Sequence, residues 1–267
     1  MYDLSICLPA IYPEYWECLY QSFVDSCTQY TFELVLTGPY RPSSALINKP
    51  NLKYIKSFAT SVRSAQTAAI ECEGRLIAIP ADDGYAFSSS FDRSIELIDH
   101  LSTTKYMGVT KKHVIVLRYR EGKNFKSKSL PKNYWSVKSH PTLRFLNIPR
   151  GYKHAVQPLL SMNYFREIGG FDCRFEHLAM AAHDLSYRIQ NDGGLLHLSP
   201  IEVMNCDWCP STVVHRPIED SHNQHDYPLF KSIYSSPESA HRIHVDYNNW
   251  KKITDVWARR WPHGVPE

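Results

Sequence analysis

The sequence predicts an α/β protein built on a doubly wound, mostly parallel sheet. Three observations carry that expectation. Strand-like and helix-like segments alternate through the first 110 residues, the rhythm of crossover units. Residues 75–80 form an apolar run without polar alternation, as in a strand buried on both faces. The chain has 267 residues, 43% hydrophobic and 21% charged, enough to bury a core without disulfides.

The elements follow in order. Residues 4–8 are a short apolar run closed by Pro9. Tyr15, Leu19 and Phe23 then recur at helical spacing. Residues 32–36 form a second run, ended by Thr37-Gly38-Pro39, and residues 52–55 a third. A helix over 62–72 is stopped by Gly74. After the buried strand, Ser88-Ser89-Ser90 offers an N-cap for a helix carrying Phe91, Ile95, Leu97 and Ile98.

The rhythm then weakens. Residues 106–109 and 114–120 read as strands. Residues 121–154 read as a basic loop, with Lys123, Lys126, Lys128, Lys132, Lys138, Arg150 and Lys153 around Tyr134 and Trp135. A solvated face, a diphosphate clamp or a lid over a bound ligand all suit it. Ser161 caps a helix over 162–168 that Gly169-Gly170 closes, and another helix covers 179–191. The final 60 residues, rich in His, Pro and aromatics, show no clear period. The expected organisation is a main domain over 1–205, with halves 1–110 and 111–205. An extension over 206–267 completes a site or packs on the domain.

Charge and cysteines bound the function class. Thirty basic against 27 acidic residues give +3, too weak a field to argue for nucleic-acid binding. Seven irregularly spaced cysteines suggest reduced thiols and a cytoplasmic protein. No signal-peptide pattern opens the sequence, and no apolar run is long enough to span a bilayer.

Three constellations could carry chemistry. Ala81-Asp82-Asp83-Gly84 places two carboxylates at the carboxyl end of the buried strand, where open α/β sheets bind ligands. Such a pair suits Mg²⁺ or Mn²⁺, and an Asp-Gly turn is the other reading. Gly169-Gly170-Phe171-Asp172 leads to His183-Asp184, early in a helix. Asp184 suits a general base if it faces a pocket, and equally a partner for the helix dipole. His215, His222 and His225 form a late histidine group, readable as metal ligands or as surface residues. Cys206 and Cys209 could join His215 around zinc, although buried thiols explain them as well. Trp208, Trp250, Trp257 and Trp261 could serve an acceptor surface or ordinary packing.

Taken in order, several segments resemble the family 2 glycosyltransferases, which have the GT-A fold. They are Ser5-Ile6-Cys7-Leu8-Pro9, Phe32-Glu33-Leu34-Val35-Leu36, and Ser61-Val62-Arg63-Ser64-Ala65-Gln66. Glu73-Gly74-Arg75-Leu76-Ile77-Ala78-Ile79 leads to the Asp pair, and the Gly-Gly-Phe-Asp to His-Asp stretch completes the set. The resemblance covers residues 3–205 and implies an inverting transfer from a nucleotide-diphospho-sugar, UDP-sugar first and GDP-sugar next. The acceptor would be a glycan, lipid-linked or other hydroxyl. It implies Asp83, with His222, on the metal; Pro9, Ala10, Arg63 and Asp82 on the donor; Gly169, Gly170, Asp172 and His183 on the acceptor side; and Asp184 as base. The chain departs from the family pattern at Thr37-Gly38-Pro39, Gln66, Ala81 and His183. These departures leave room for a second reading, a non-catalytic module of the same fold that binds a glycan or a protein.

Overall fold

Strand β1 (Leu4–Pro9) is the hub of the sheet, pairing in parallel with β2 (Phe32–Gly38) and β4 (Leu76–Ala78). The computed structural model describes residues 1–103, 105–106, 109–110, 112–122, 128–130, 153–206, 216–252 and 256–265; at 105–106, 109–110, 128–130 and 252 it describes the backbone alone. Outward from β2 lies β3 (Leu52–Lys56), also parallel. On the other side, β10 (Pro158–Ser161) runs antiparallel between β4 and β8 (His113–Glu121). Then come β11 (Leu195–Cys206), parallel to β8, and β5 (Gly84–Ala86), antiparallel to β11. The order is β3-β2-β1-β4-β10-β8-β11-β5, with β9 (Lys128–Leu130) added on β8. The sheet is thus parallel through its first half and mixed through its second.

Helices cover both faces. On one lie α1 (Trp16–Ser26), α2 (Ser44–Ile47) and α4 (Ser90–Thr103), around a core that includes Phe23, Leu46, Phe91 and Ile95. On the other lie α3 (Ser61–Glu71), α5 (Met162–Glu167) and α6 (Leu178–Asn191). With α8 (Tyr227–Ser235) they enclose Ala65, Phe165, Phe171, Tyr187 and Phe230. Short apolar strands in the middle and amphipathic helices outside follow from the alternating pattern, because each helix has one stripe to bury.

Three differences from the sequence reading have local causes. The strand expected over 75–80 is regular only over Leu76–Ala78, since Ile79 and Pro80 leave β4 to line a pocket at its carboxyl end. The strand expected over 106–109 is instead two short strands, β6 (Lys105–Tyr106) and β7 (Val109–Thr110), paired with each other. The long β11 was not expected as one strand. Pro200 interrupts its sequence pattern, and register shifts between Leu198 and Met204 absorb the break. Among the described residues no helix is long and apolar enough to cross a membrane.

The C-terminal segment returns to the sheet. The helix α7 (Arg216–Ser221) runs through one π turn, His222–Asp226, into α8. Beyond α8, the Val245 amide donates to the Ile168 carbonyl, and Asn249 bonds the backbone of both Phe171 and Cys173. Val256 bridges Phe58, and the Trp257 amide donates to the Phe58 carbonyl at 2.9 Å.

Candidate functional site

A pocket of about 220 Å³ opens at the carboxyl ends of the parallel strands. Its floor comes from the last residues of β1 and β2 and those that follow β1, β2, β3 and β4: Pro9 to Tyr12, Thr37 to Pro39, Ser57 to Ala59, and Ile79 to Asp83. The starts of α3 and α6 form one side, and Ile218, Trp257, Arg260 and Trp261 close another. Gly38 is required here. A Cβ on it would lie 1.9 Å from the Ala10 carbonyl oxygen, so only glycine lets the ends of β1 and β2 approach this closely.

Asp82 and Asp83 both line the pocket, but they differ in duty. Asp82 is buried, and its Oδ2 accepts from the amides of Ile11 at 2.5 Å and Tyr12 at 2.9 Å. It therefore fixes the turn after β1 that forms the pocket floor. Burial pushes its carboxyl up to about 6, against the lowering effect of those two amides. Asp83 carries its charge toward the ends of β8 and β11. Burial raises the Cys206 thiol and the Tyr119 hydroxyl, and the Asp83 carboxylate raises both further.

The opposite side is built by a turn that the sequence did not reveal. His177 caps α6: its Nδ1 accepts from the Ala179 amide at 3.1 Å. The fully buried Asp226, in the π turn, accepts from the amides of Glu176 at 2.9 Å and His177 at 2.6 Å. Ser61, at the start of α3, donates to the Glu176 carbonyl. Arg259 pairs with Glu176 at 3.0 Å, and Trp261 packs edge-on against Phe58 with ring centroids 5.6 Å apart. No motif marks His177 or Asp226, because the pairing of residues 176–177 with 226 exists only once the C-terminal segment has docked.

Of the predicted site residues, Pro9, Ala10, Asp82 and Asp83 come together in this pocket with Trp257 and Trp261 from the candidate acceptor surface, while Arg63, Gly169, Gly170, Asp172, His183, Asp184 and His222 lie outside its lining. Asp184, the base that the resemblance implies, lies in the core beside α8. It does not line the pocket; its side chain has 0% exposure. Its Oδ2 accepts from Arg188 at 2.8 Å, and its Oδ1 from Tyr234 at 2.7 Å and from Arg242. Two guanidinium groups and a phenol thus hold this carboxylate in the core, away from the pocket lining. Asp172 belongs to the same network. It pairs with Arg174 at 2.6 Å and Arg242 at 2.8 Å. Burial would raise its carboxyl, but these guanidinium groups outweigh it and hold it at about 2. Arg188, equally buried, donates to the carbonyls of Ile168 and Gly170.

The remaining expectations resolve similarly. Gly169 and Gly170 form a positive-φ turn behind the pocket, against Val245 and Gln66. Gln66 ties that turn to the C-terminal segment by accepting from the Phe171 amide and donating to the Tyr247 carbonyl. His183 is buried against His154, with ring centroids 4.1 Å apart. Arg63 is buried on α3 outside the pocket, near enough for its charge to oppose the burial-driven rise of the Cys173 thiol. His222 does not line the pocket; its ring packs edge-on against His177 at 5.3 Å. The side chains of the basic stretch 123–152 lie outside the described residues, as do Trp208, Cys209 and His215.

A divalent cation fits this pocket in one way. Among the described residues no three His, Cys, Asp or Glu side chains converge as an all-protein site. Mg²⁺ and Mn²⁺ that bridge substrate phosphates need only one or two protein carboxylates. Asp83 offers one from the pocket wall, with Asp82 beside it.

No protein-family model and no curated protein matches the sequence. Solved structures do match the fold. S. aureus TarS 1–349 in complex with UDP superposes with a TM-score of 0.56 at 12% identity, over 90% of this chain and 68% of that one. The same protein in complex with UDP-GlcNAc gives 0.56 at 13% identity, over 93% and 72%. A longer S. aureus TarS structure gives 0.52 at 13% identity, with this chain covering 46% of its length. This chain shares a GT-A-like fold with those structures.

Proposed function

We propose that the chain is a glycosyltransferase that takes a sugar from a nucleotide-diphospho-sugar, with a UDP-sugar first and a GDP-sugar next. One observation carries the reading. The pocket lies at the carboxyl edge of the parallel strands, with Asp83 in its wall, in a fold shared with a protein solved with UDP and UDP-GlcNAc. The nucleoside rests on the strand ends near Pro9, Ala10 and Gly38. The diphosphate reaches toward Asp83, which would hold a divalent cation against it. When bound, that cation neutralises charge on the departing nucleoside diphosphate. The acceptor oxygen bonds to the anomeric carbon from the far face as the bond to the diphosphate breaks, which inverts configuration. The acceptor hydroxyl gives its proton to solvent water as it attacks, since Arg188, Tyr234 and Arg242 hold Asp184 away from the pocket lining.

The same arrangement favours a second reading. The only carboxylates among the described residues lining the pocket are Asp82 and Asp83. A module that binds a nucleotide-sugar without transferring it has no need of a base.

Thermal shifts with UDP, GDP, CDP and dTDP, with and without Mn²⁺, test binding on the wild type and Asp83→Ala. A shift for one nucleotide that needs Mn²⁺ and vanishes in Asp83→Ala supports the reading. No shift from any nucleotide at millimolar concentration on folded protein overturns it. Release of free nucleoside diphosphate from the matching nucleotide-sugar then separates the enzyme from the binding module.

A further inference from the structure

We propose that a second cavity, beside the pocket, receives the acceptor, and that this acceptor carries an anionic group, a phosphate or a carboxylate. The assignment rests on the nucleotide-sugar reading and adds the other substrate to it. The cavity has a volume of about 770 Å³. The same stretches of chain line both spaces. Ala59 and Ser61 line the pocket and Thr60 the cavity; His177 lines the pocket and Glu176 the cavity; Arg260 lines the pocket and Arg259 the cavity. Trp257 lines both. The two spaces therefore share a wall, as the sites of two substrates that exchange a group must.

The charge of the cavity selects the ligand. Among the described residues it is lined by two guanidinium groups, Arg174 and Arg259, and one carboxylate, Glu176. Arg259 donates from Nε to Glu176 and from Nη1 to the Gln224 oxygen, so its Nη2 has no partner among the described residues. Arg174 donates from Nε and Nη2 to Asp172, which leaves Nη1 on the opposite edge of the guanidinium plane. The network behind Arg174 does not neutralise it. Asp172 is shared by Arg174 and Arg242, and Asp184 by Arg242 and Arg188, so three guanidinium groups meet two carboxylates. The side chains of Arg188 and Arg242 are 0% and 14% exposed, against 53% for Arg174. The surplus positive charge therefore reaches solvent at Arg174, in the cavity. The neighbouring Asp226 is fully buried, held by the amides of Glu176 and His177 and by the His225 ring. Guanidinium groups with open N–H edges bind phosphate and carboxylate through charge-assisted hydrogen bonds. The pocket offers adjacent aspartates instead, so an anion without a bridging cation is drawn to the cavity.

The test uses anionic probes with neutral counterparts: glycerol 3-phosphate against glycerol, and glucuronate against glucose. Ligand-observed NMR titrations follow them on the wild type, Arg174→Gln and Arg259→Gln, with Mn²⁺ and with or without UDP. Arg242 still holds Asp172 in Arg174→Gln, so that variant keeps its fold. A charge-assisted hydrogen bond is worth about ten- to a hundredfold in affinity. The wild type should bind at least one anionic probe tighter than its counterpart by about that factor, equally well when UDP is bound. The probe preferred tells a phosphate-bearing acceptor from a carboxylate-bearing one. Each variant should lose about tenfold for that probe and keep its UDP affinity by calorimetry. No anionic preference in the wild type overturns the assignment and leaves the nucleotide-sugar reading standing. So does a preference that survives in both variants. Displacement of the anionic probe by UDP also overturns it, since one space then serves both ligands. A wild type that prefers the anionic probe yet binds neither UDP nor GDP overturns the nucleotide-sugar reading, and the acceptor assignment with it.

Discussion

Asp82 and Asp172 are the same side chain, both buried, and they titrate in opposite directions. At the pocket, burial pushes Asp82 up to about 6, because only amides and an indole N–H face it. Behind the pocket, Arg174 and Arg242 hold Asp172 at about 2 despite its burial. At the pocket, backbone amides and an indole hold Asp82; behind it, arginines hold Asp172 and Asp184. Asp184, which looks catalytic in sequence, sits in the second region.

That contrast can be broken at its strongest point first. Arg242 donates to both Asp172 and Asp184, so Arg242→Leu leaves two buried carboxylates short of charge. Removing one partner of a buried pair typically costs about 3–5 kcal/mol, and urea denaturation should show a loss of that size. A loss under about 1 kcal/mol would mean the network behaves as a surface one.

The next effect is the pH dependence of the two carboxylates. Asp82 has a folded pKa above its unfolded value. Its relative contribution is greatest below pH 4 and is lost as pH rises through about 6. Asp82→Asn should remove that loss, flattening the stability profile between pH 4 and 6 by about 2–3 kcal/mol. Asp172, with a depressed folded pKa, contributes above its unfolded value, and that stability is lost as pH falls toward about 2. Asp172→Asn should therefore flatten the acid side instead. Identical pH profiles for the two variants would erase the distinction between the regions.

Asp83→Asn should sharpen the comparison from the other side. It is expected to leave the melting temperature unchanged and to weaken Mn²⁺-dependent UDP binding more than tenfold, about 1.4 kcal/mol. A variant that melts lower but binds normally would place Asp83 with the scaffold. The smallest effect belongs to the joint between the regions. The Thr60 hydroxyl caps α3 by accepting from the Arg63 amide, and Thr60→Ala should cost about 1 kcal/mol of stability.

The first half of the molecule was legible for a physical reason. Its strands are short apolar runs, and stop residues such as Pro9 and Gly74 punctuate them and the helices between, so local pattern and final fold agree. The Asp82-Asp83 pair was legible because its position follows from the strand that delivers it. The role of Asp184 was not. Leu185 and Ile189 mark one buried face of α6, but α6 is covered on a second face by Tyr234 and Arg242, about fifty residues later. Helical periodicity reports that a face is apolar; it does not report that a polar face will meet a buried arginine. The same limit hid His177, whose backbone is held by Asp226 from the π turn. It also hid β11, whose Pro200 breaks the alternation that would have identified it.

The bridge between Phe58 and Val256 has a consequence for biosynthesis. Val256 is translated well after Phe58, yet the two join neighbouring walls of one pocket. All the strands of the nine-stranded sheet lie before residue 207, so the sheet has all its strands while the pocket still lacks Trp257, Arg260 and Trp261. The wall made by Trp257, Arg260 and Trp261 is therefore added to a sheet whose strands have all been translated already.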